Sequence, residues 1–144
     1  MSFTTWHNYG YGFCTDEITT TSERLMALIA CAPEYHQMIT DSLKKAGNSK
    51  PSIDDIIECD PDANYRLASV MREVISAAEG ICLLACNDFE GDCYLLFPPS
   101  YPWEQTAAEQ SITEETIAAL FRKYIAMLTD EEIELGYEGV ENGG

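Results

Sequence analysis

Residues 9 to 13 read Tyr-Gly-Tyr-Gly-Phe, and only one regular backbone makes sense of that alternation. On a strand, successive side chains point to opposite faces, so Tyr9, Tyr11 and Phe13 project together and Gly10 and Gly12 leave the other face bare. A bare face admits the close approach of another backbone or of a packed helix. The rings themselves read first as core, because aromatic side chains dominate buried packing. The alternative is an aromatic recognition surface. A nucleotide cradle fits poorly, since the glycines lack the G-x-G-x-x-G spacing and no helix start follows at once.

The remaining punctuation fixes the order of elements. Leu25, Leu28, Ile29 and Ala32 fall on one helical face, with Thr20 three residues before Glu23 in a capping-box spacing. Pro33 suits the first turn of a second helix carrying Tyr35, Met38, Ile39 and Leu43, which Gly47 and Pro51 end. A short helical turn in SIDDIIECDPD follows. Pro61 then opens a helix with Tyr65, Leu67, Ala68, Met71, Val74, Ile75 and Ala78 on its apolar side, ending at Gly80. ICLLAC and CYLLF have strand length, and NDFEGD between them has hairpin chemistry. Pro98, Pro99 and Pro102 forbid extension of the second strand. A last helix from Ser111 or Thr113 buries Ile117, Leu120, Phe121, Tyr124, Ile125 and Leu128, and a final strand alternates Ile133, Leu135 and Tyr137 before a short flexible tail, ENGG. The expected fold is α+β, a mostly antiparallel sheet of about four strands with helices packed on one face, in a single domain over residues 1–144. At 144 residues a chain buries about two-thirds of its unfolded surface around one core.

Charge narrows the function classes. Eight basic against 25 acidic side chains give a net charge of −17, a surface that repels nucleic acid and anionic lipid. No apolar stretch reaches membrane-helix length, and the first 20 residues hold neither a cation nor an apolar run of the secretory kind, so a cytoplasmic location is expected. The six cysteines then read as reduced, buried thiols. His7 and His36 are the only histidines, which limits acid–base and metal chemistry. A Cys14–His36 or Cys93–His7 pair lacks any oxyanion-hole signal. Cys82, Cys86 and Cys93 lack the C-x2-C spacing of a metal site, and DFEGD lacks the closing glutamate of a calcium loop. No catalytic residue, metal or cofactor is expected.

Two acidic clusters stand out. Asp54, Asp55, Glu58, Asp60 and Asp62 lie within nine positions without a base, and Asp130, Glu131, Glu132 and Glu134 open a segment with no base at all. On a helix such carboxylates stand roughly 5 to 6 Å apart at Cβ, comparable with neighbouring phosphates along a nucleic-acid strand. An array of that kind can occupy a Lys/Arg-lined groove built for nucleic acid. Tyr101, Trp103 and Trp6 are the candidate apolar anchors, since Tyr and Trp are favoured at interface hot spots. The plainer account is that the charge keeps the protein soluble.

At WHNYGYGFCTDEI, at YPW (Tyr101 to Trp103) and at KYIAMLTDEEIELGYEGVENGG, the sequence resembles a group of small acidic proteins of phages and mobile elements in gut bacteria. That resemblance supplies no catalytic or binding residues. It implies a context in which inhibitors of host defence, anti-CRISPR proteins among them, are common. The leading expectation is a non-enzymatic inhibitor that docks on the basic groove of a host nucleic-acid-binding complex, such as a CRISPR effector, by nucleic-acid mimicry. A structural or adaptor module of a mobile element and a small cysteine-dependent enzyme are the alternatives.

Overall fold

A computed structural model describes residues 5–61, 65–88, 90–98 and 112–143, with the side chains of residues 5–8 and 141–143 left out. Among the described residues the chain forms strand β1 (Thr5–Cys14), a 3-10 turn (Thr15–Glu17) and helices α1 (Ser22–Ile29), α2 (Pro33–Lys45), α3 (Ile53–Glu58) and α4 (Leu67–Glu79). The hairpin strands β2 (Leu84–Asn87) and β3 (Cys93–Phe97), helix α5 (Glu114–Leu128) and strand β4 (Gly136–Gly143) follow. All pairings are antiparallel, in the order β2-β3-β1-β4, so the fold is α+β as the sequence pattern requires.

The helical stripes land in the core. Leu25, Leu28 and Ile29 of α1, Val74 and Ile75 of α4, and Ile117, Phe121 and Leu128 of α5 are buried against Tyr11, Phe13, Ala85 and Leu95 of the sheet. Phe13 and Phe121 meet edge to face at 5.2 Å, with both rings fully buried. The opposite sheet face carries a smaller buried group, Cys86, Leu96 and Val140, flanked by half-buried Leu84 and Tyr94. α1 and α5 are locked together by Arg24, whose Nε donates to the Met127 carbonyl and Nη2 to that of Ala126, each at 3.0 Å. These are last-turn carbonyls of α5, where a cation offsets the helix dipole.

Several boundaries differ from expectation for identifiable reasons. The cap of α1 is Thr21, which accepts the Arg24 backbone N–H, rather than Thr20, whose hydroxyl is buried without a partner. Helix α4 starts at Leu67, not at Pro61, because Arg66 takes a positive φ of 50° that breaks the helix before it. Leu84 rather than Ile81 begins β2. The last strand begins only at Gly136, so Ile133 and Leu135 are half-buried residues of the approach segment. It also runs through residues 141–143, read as a tail, which pair with Thr5, Trp6 and His7 of β1. The cysteines form no disulfide, but only Cys86 and Cys93 are buried; Cys14 and Cys59 are half-buried, and Cys31 and Cys82 are exposed rather than in the core.

Gly10 and Gly12 have a definite reason to be glycine. A Cβ on Gly12 would stand 1.9 Å from the Leu95 carbonyl oxygen, and one on Gly10 would stand 2.6 Å from that of Phe97. Both obstacles are backbone of the neighbouring strand, so no side-chain rotation relieves them. Gly139, opposite Tyr9 on β4, has nothing within 4 Å of an added Cβ. Gly12→Ala should therefore cost about 3 kcal/mol or more in chemical denaturation, whereas Gly139→Ala should be neutral or slightly stabilising. Equal effects of the two substitutions would contradict the close approach.

Candidate functional site: a carboxylate face and a tyrosine cleft

The structure divides the first acidic cluster among separate tasks. Asp54 pairs with Arg66. Asp55 closes the capping box of α3, accepting the Ser52 N–H and the Asn48 amide at 3.0 Å each, and these bonds hold its carboxyl below the usual range. Asp60 is buried at 4% exposure and accepts the Tyr35 hydroxyl at 3.0 Å. Burial and the Asp60 charge push the Tyr35 phenol up. Of the four described residues, Asp55 and Asp60 are engaged within the chain and Asp54 and Glu58 are exposed; Asp62 lies outside the described residues. In the second cluster Asp130 is bonded to Arg24 at 3.0 Å, and Glu131, Glu132 and Glu134 are exposed. Tyr101 and Trp103 lie outside the described residues, and Trp6 is placed in the β1–β4 ladder opposite Asn142.

A different set of carboxylates converges. The end of β1 and the β2–β3 hairpin bring Asp16, Asp88, Glu90 and Asp92 together. Asp88 Oδ1 accepts the backbone N–H of Glu90 at 2.9 Å and of Asp92 at 3.0 Å, which closes the turn that Gly91 completes at φ 89°. Asp16 reaches across from the 3-10 turn to accept the Cys93 N–H at 3.2 Å. Desolvation raises the Asp92 carboxyl first, and the charges of Asp88, Asp16 and Glu90 raise it further. Alongside, the Glu138 carboxyl is raised by burial and then by Glu134 and Glu17. Tyr94, opposite Cys14 in the β1–β3 ladder, joins the two groups: burial lifts its phenol to about 12, aided by Cys14, Asp88, Glu138 and Asp92. Arg66 borders this face beside Asp16 and is held by Asp54. DFEGD displays Asp88, Glu90 and Asp92 in the sequence, but Asp16 and Glu17 do not stand out there, because the 3-10 turn and the hairpin are distant in the chain and only strand pairing joins them.

The thiols near this face are poorly suited to nucleophilic work. Burial pushes Cys86 and Cys93 up to about 11, and Cys14 is raised by burial and by Asp16, Glu17 and Asp92 despite a lowering backbone bond. A reactive cysteine needs the opposite shift.

A second feature lies on the helix-bearing side of the sheet, where β1 and β4 meet the start of α5. Tyr11 and Tyr137 are directly paired and their rings meet at 5.3 Å and 80°. Tyr9 lies nearly parallel to Tyr137 at 5.9 Å. Tyr137 donates weakly, at 3.4 Å, to Glu114 Oε2. Phe97, Pro98, Ile112 and Ile117 complete a cleft of about 190 Å3. Part of this was legible, since the Tyr-Gly alternation put Tyr9 and Tyr11 on one face. Tyr137 and Glu114 came to it only through strand register and helix docking.

Asp92 and Glu138 bind their protons more tightly in the folded chain than in the unfolded one, where 3.8 and 4.5 are their ordinary values. Stability from these two groups is thus full below those values and is lost as pH rises through the higher folded ones. Their contribution to thermal stability should grow as pH falls toward those ordinary values, and D92N/E138Q should remove that contribution. Unchanged pH dependence in the double variant would show the two carboxyls to be unstressed. No family model, no curated protein and no solved structure matches the chain.

Proposed function

We propose that this chain is an acidic binding protein without chemistry of its own, which seats a carboxylate face on a basic, nucleic-acid-handling surface of a host complex. The observation that carries the reading is the convergence of Asp16, Glu17, Asp88, Glu90, Asp92, Glu134 and Glu138 at one end of the sheet, in a chain of net charge −17. Burial, and then the charges around them, raise the Asp92 and Glu138 carboxyls; like charges gathered in this way cost folding stability, and docking against cations recovers that cost. Inhibition by nucleic-acid mimicry, with a CRISPR effector as one partner of the right chemistry, is the form that also accords with the sequence resemblance. Glu131 and Glu132 are exposed beside Arg122 and Asp130, which pairs with Arg24; Asp55 and Asp60 are bonded within the chain. The shifts at Cys14, Cys86 and Cys93 favour binding over a cysteine-dependent enzyme.

A second reading is a structural or adaptor module whose charge serves solubility, and the internal use of Asp55, Asp60 and Asp130 favours it. Affinity capture from host lysate separates the two. The wild-type chain should retain nucleic-acid-binding proteins at about 50 mM salt, release them near 200 mM, and lose them to added duplex. D16N/E17Q/D92N/E138Q should retain far less, while E58Q should behave as wild type. Retention unaffected by salt, duplex and the fourfold variant would overturn the proposal.

A further inference from the structure

The tyrosine cleft is built differently from the carboxylate face. Its occupant can be argued from size, charge and shape. At about 190 Å3 it is smaller than the roughly 300 Å3 at which drug-sized ligand sites begin, so it suits one side chain. Its rings are accessible: Tyr9 is 53% and Tyr137 57% exposed, while the ring between them, Tyr11, is buried. Two near-parallel exposed rings offer faces for stacking, and the negative face of an aromatic ring attracts a cation. The carboxylate of Glu114 closes one side, with Oε2 held by the Tyr137 hydroxyl and no bond to Oε1 among the described residues.

The sign of the occupant's charge follows from weighing two effects. The N-terminus of α5 is the positive end of its dipole, which by itself favours an anion. Glu114 and Glu115 occupy that first turn, and each brings a full charge against the half-charge of the helix end. The Thr113 side chain already caps the Thr116 N–H. The net local charge is negative, and the surrounding charge of −17 repels anions at longer range. A cation is therefore selected. Between the two basic side chains, guanidinium is the planar one: it stacks on aromatic faces and presents parallel N–H donors to a carboxylate, which an ammonium does not.

We propose that the cleft bounded by Tyr9, Tyr11, Tyr137 and Glu114 is a binding site for an arginine side chain, the guanidinium stacked on the tyrosines and bonded to Glu114. The inference rests on the acidic-binder reading for the source of that arginine, a basic partner surface. The chemistry of the cleft stands independently of it.

The test uses the full chain and three small probes: N-acetyl-arginine amide, its lysine counterpart, and its citrulline counterpart, which keeps the shape and loses the charge. Tyrosine ring signals followed by NMR should titrate saturably with the arginine probe, and the lysine and citrulline probes should bind at least roughly tenfold more weakly. Glu114→Gln, an exposed and nearly isosteric change, should weaken the arginine titration by a similar factor while leaving the spectrum folded. Tyr137→Ala should abolish it. Equal binding of the citrulline probe, or indifference to Glu114→Gln, overturns the proposal. An arginine titration confined to residues around Asp16 and Asp92 overturns the cleft and leaves the acidic binder intact. Titration at the tyrosines that survives in D16N/E17Q/D92N/E138Q supports the cleft, whatever lysate capture shows for the carboxylate face.

Discussion

The close lateral pairing of β3 with the glycine positions of β1 is the contact on which the sheet is built. Gly10 and Gly12 let the carbonyls of Leu95 and Phe97 come nearer than any Cβ permits. β1 is a central strand, paired with β3 on one side and β4 on the other. Its position therefore sets the register of both neighbours. The Tyr11–Phe97 and Gly12–Leu96 pairs on one side, and Tyr11–Tyr137 and Gly10–Glu138 on the other, follow from a single placement. Phe13, held by Phe121, anchors the same strand to α5 and so sets the helical layer over it.

Much of this was readable because it follows from periods. The stripes of α1, α4 and α5 repeat every three to four residues and could bury themselves in only one way; Leu25, Met71 and Phe121 lie in the core as their spacing demands. The hairpin declared itself through Gly91 between two apolar runs. The misplaced boundaries are those decided by tertiary contact rather than by period. Arg66 delays α4 through its own backbone angle, and residues 141–143 join a strand because β1 extends back to Thr5 and offers them hydrogen-bond partners. Nothing in ENGG, a polar and glycine-rich stretch, announces that.

The acidic residues show where sequence proximity misleads. Asp54, Asp55 and Asp60 look like an array when written in a line. In the fold one pairs with Arg66, one caps a helix and one is buried against Tyr35. A carboxylate engaged in a cap or a buried bond has spent its acceptor capacity on the chain itself and is a poor contact for a partner. The carboxylates that do converge come from the 3-10 turn, the hairpin and β4, three segments far apart in the chain. Burial raises the Asp92 and Glu138 carboxyls first, and the neighbouring charges raise them further.

The two candidate surfaces meet on β4. Tyr137 and Glu138 are consecutive, and strand alternation sends Tyr137 toward the helix-bearing face and Glu138 toward the face of Val140 and Leu96. A slip of one residue in the β1–β4 register would exchange them, placing a carboxylate against Tyr11 and a ring among Glu17 and Glu134. If the proposed reading holds, register here is a functional variable as much as a structural one. The glycine contact that holds β1 against β3 thereby also holds apart an aromatic cleft and a charged face, the two surfaces of the proposed binding reading.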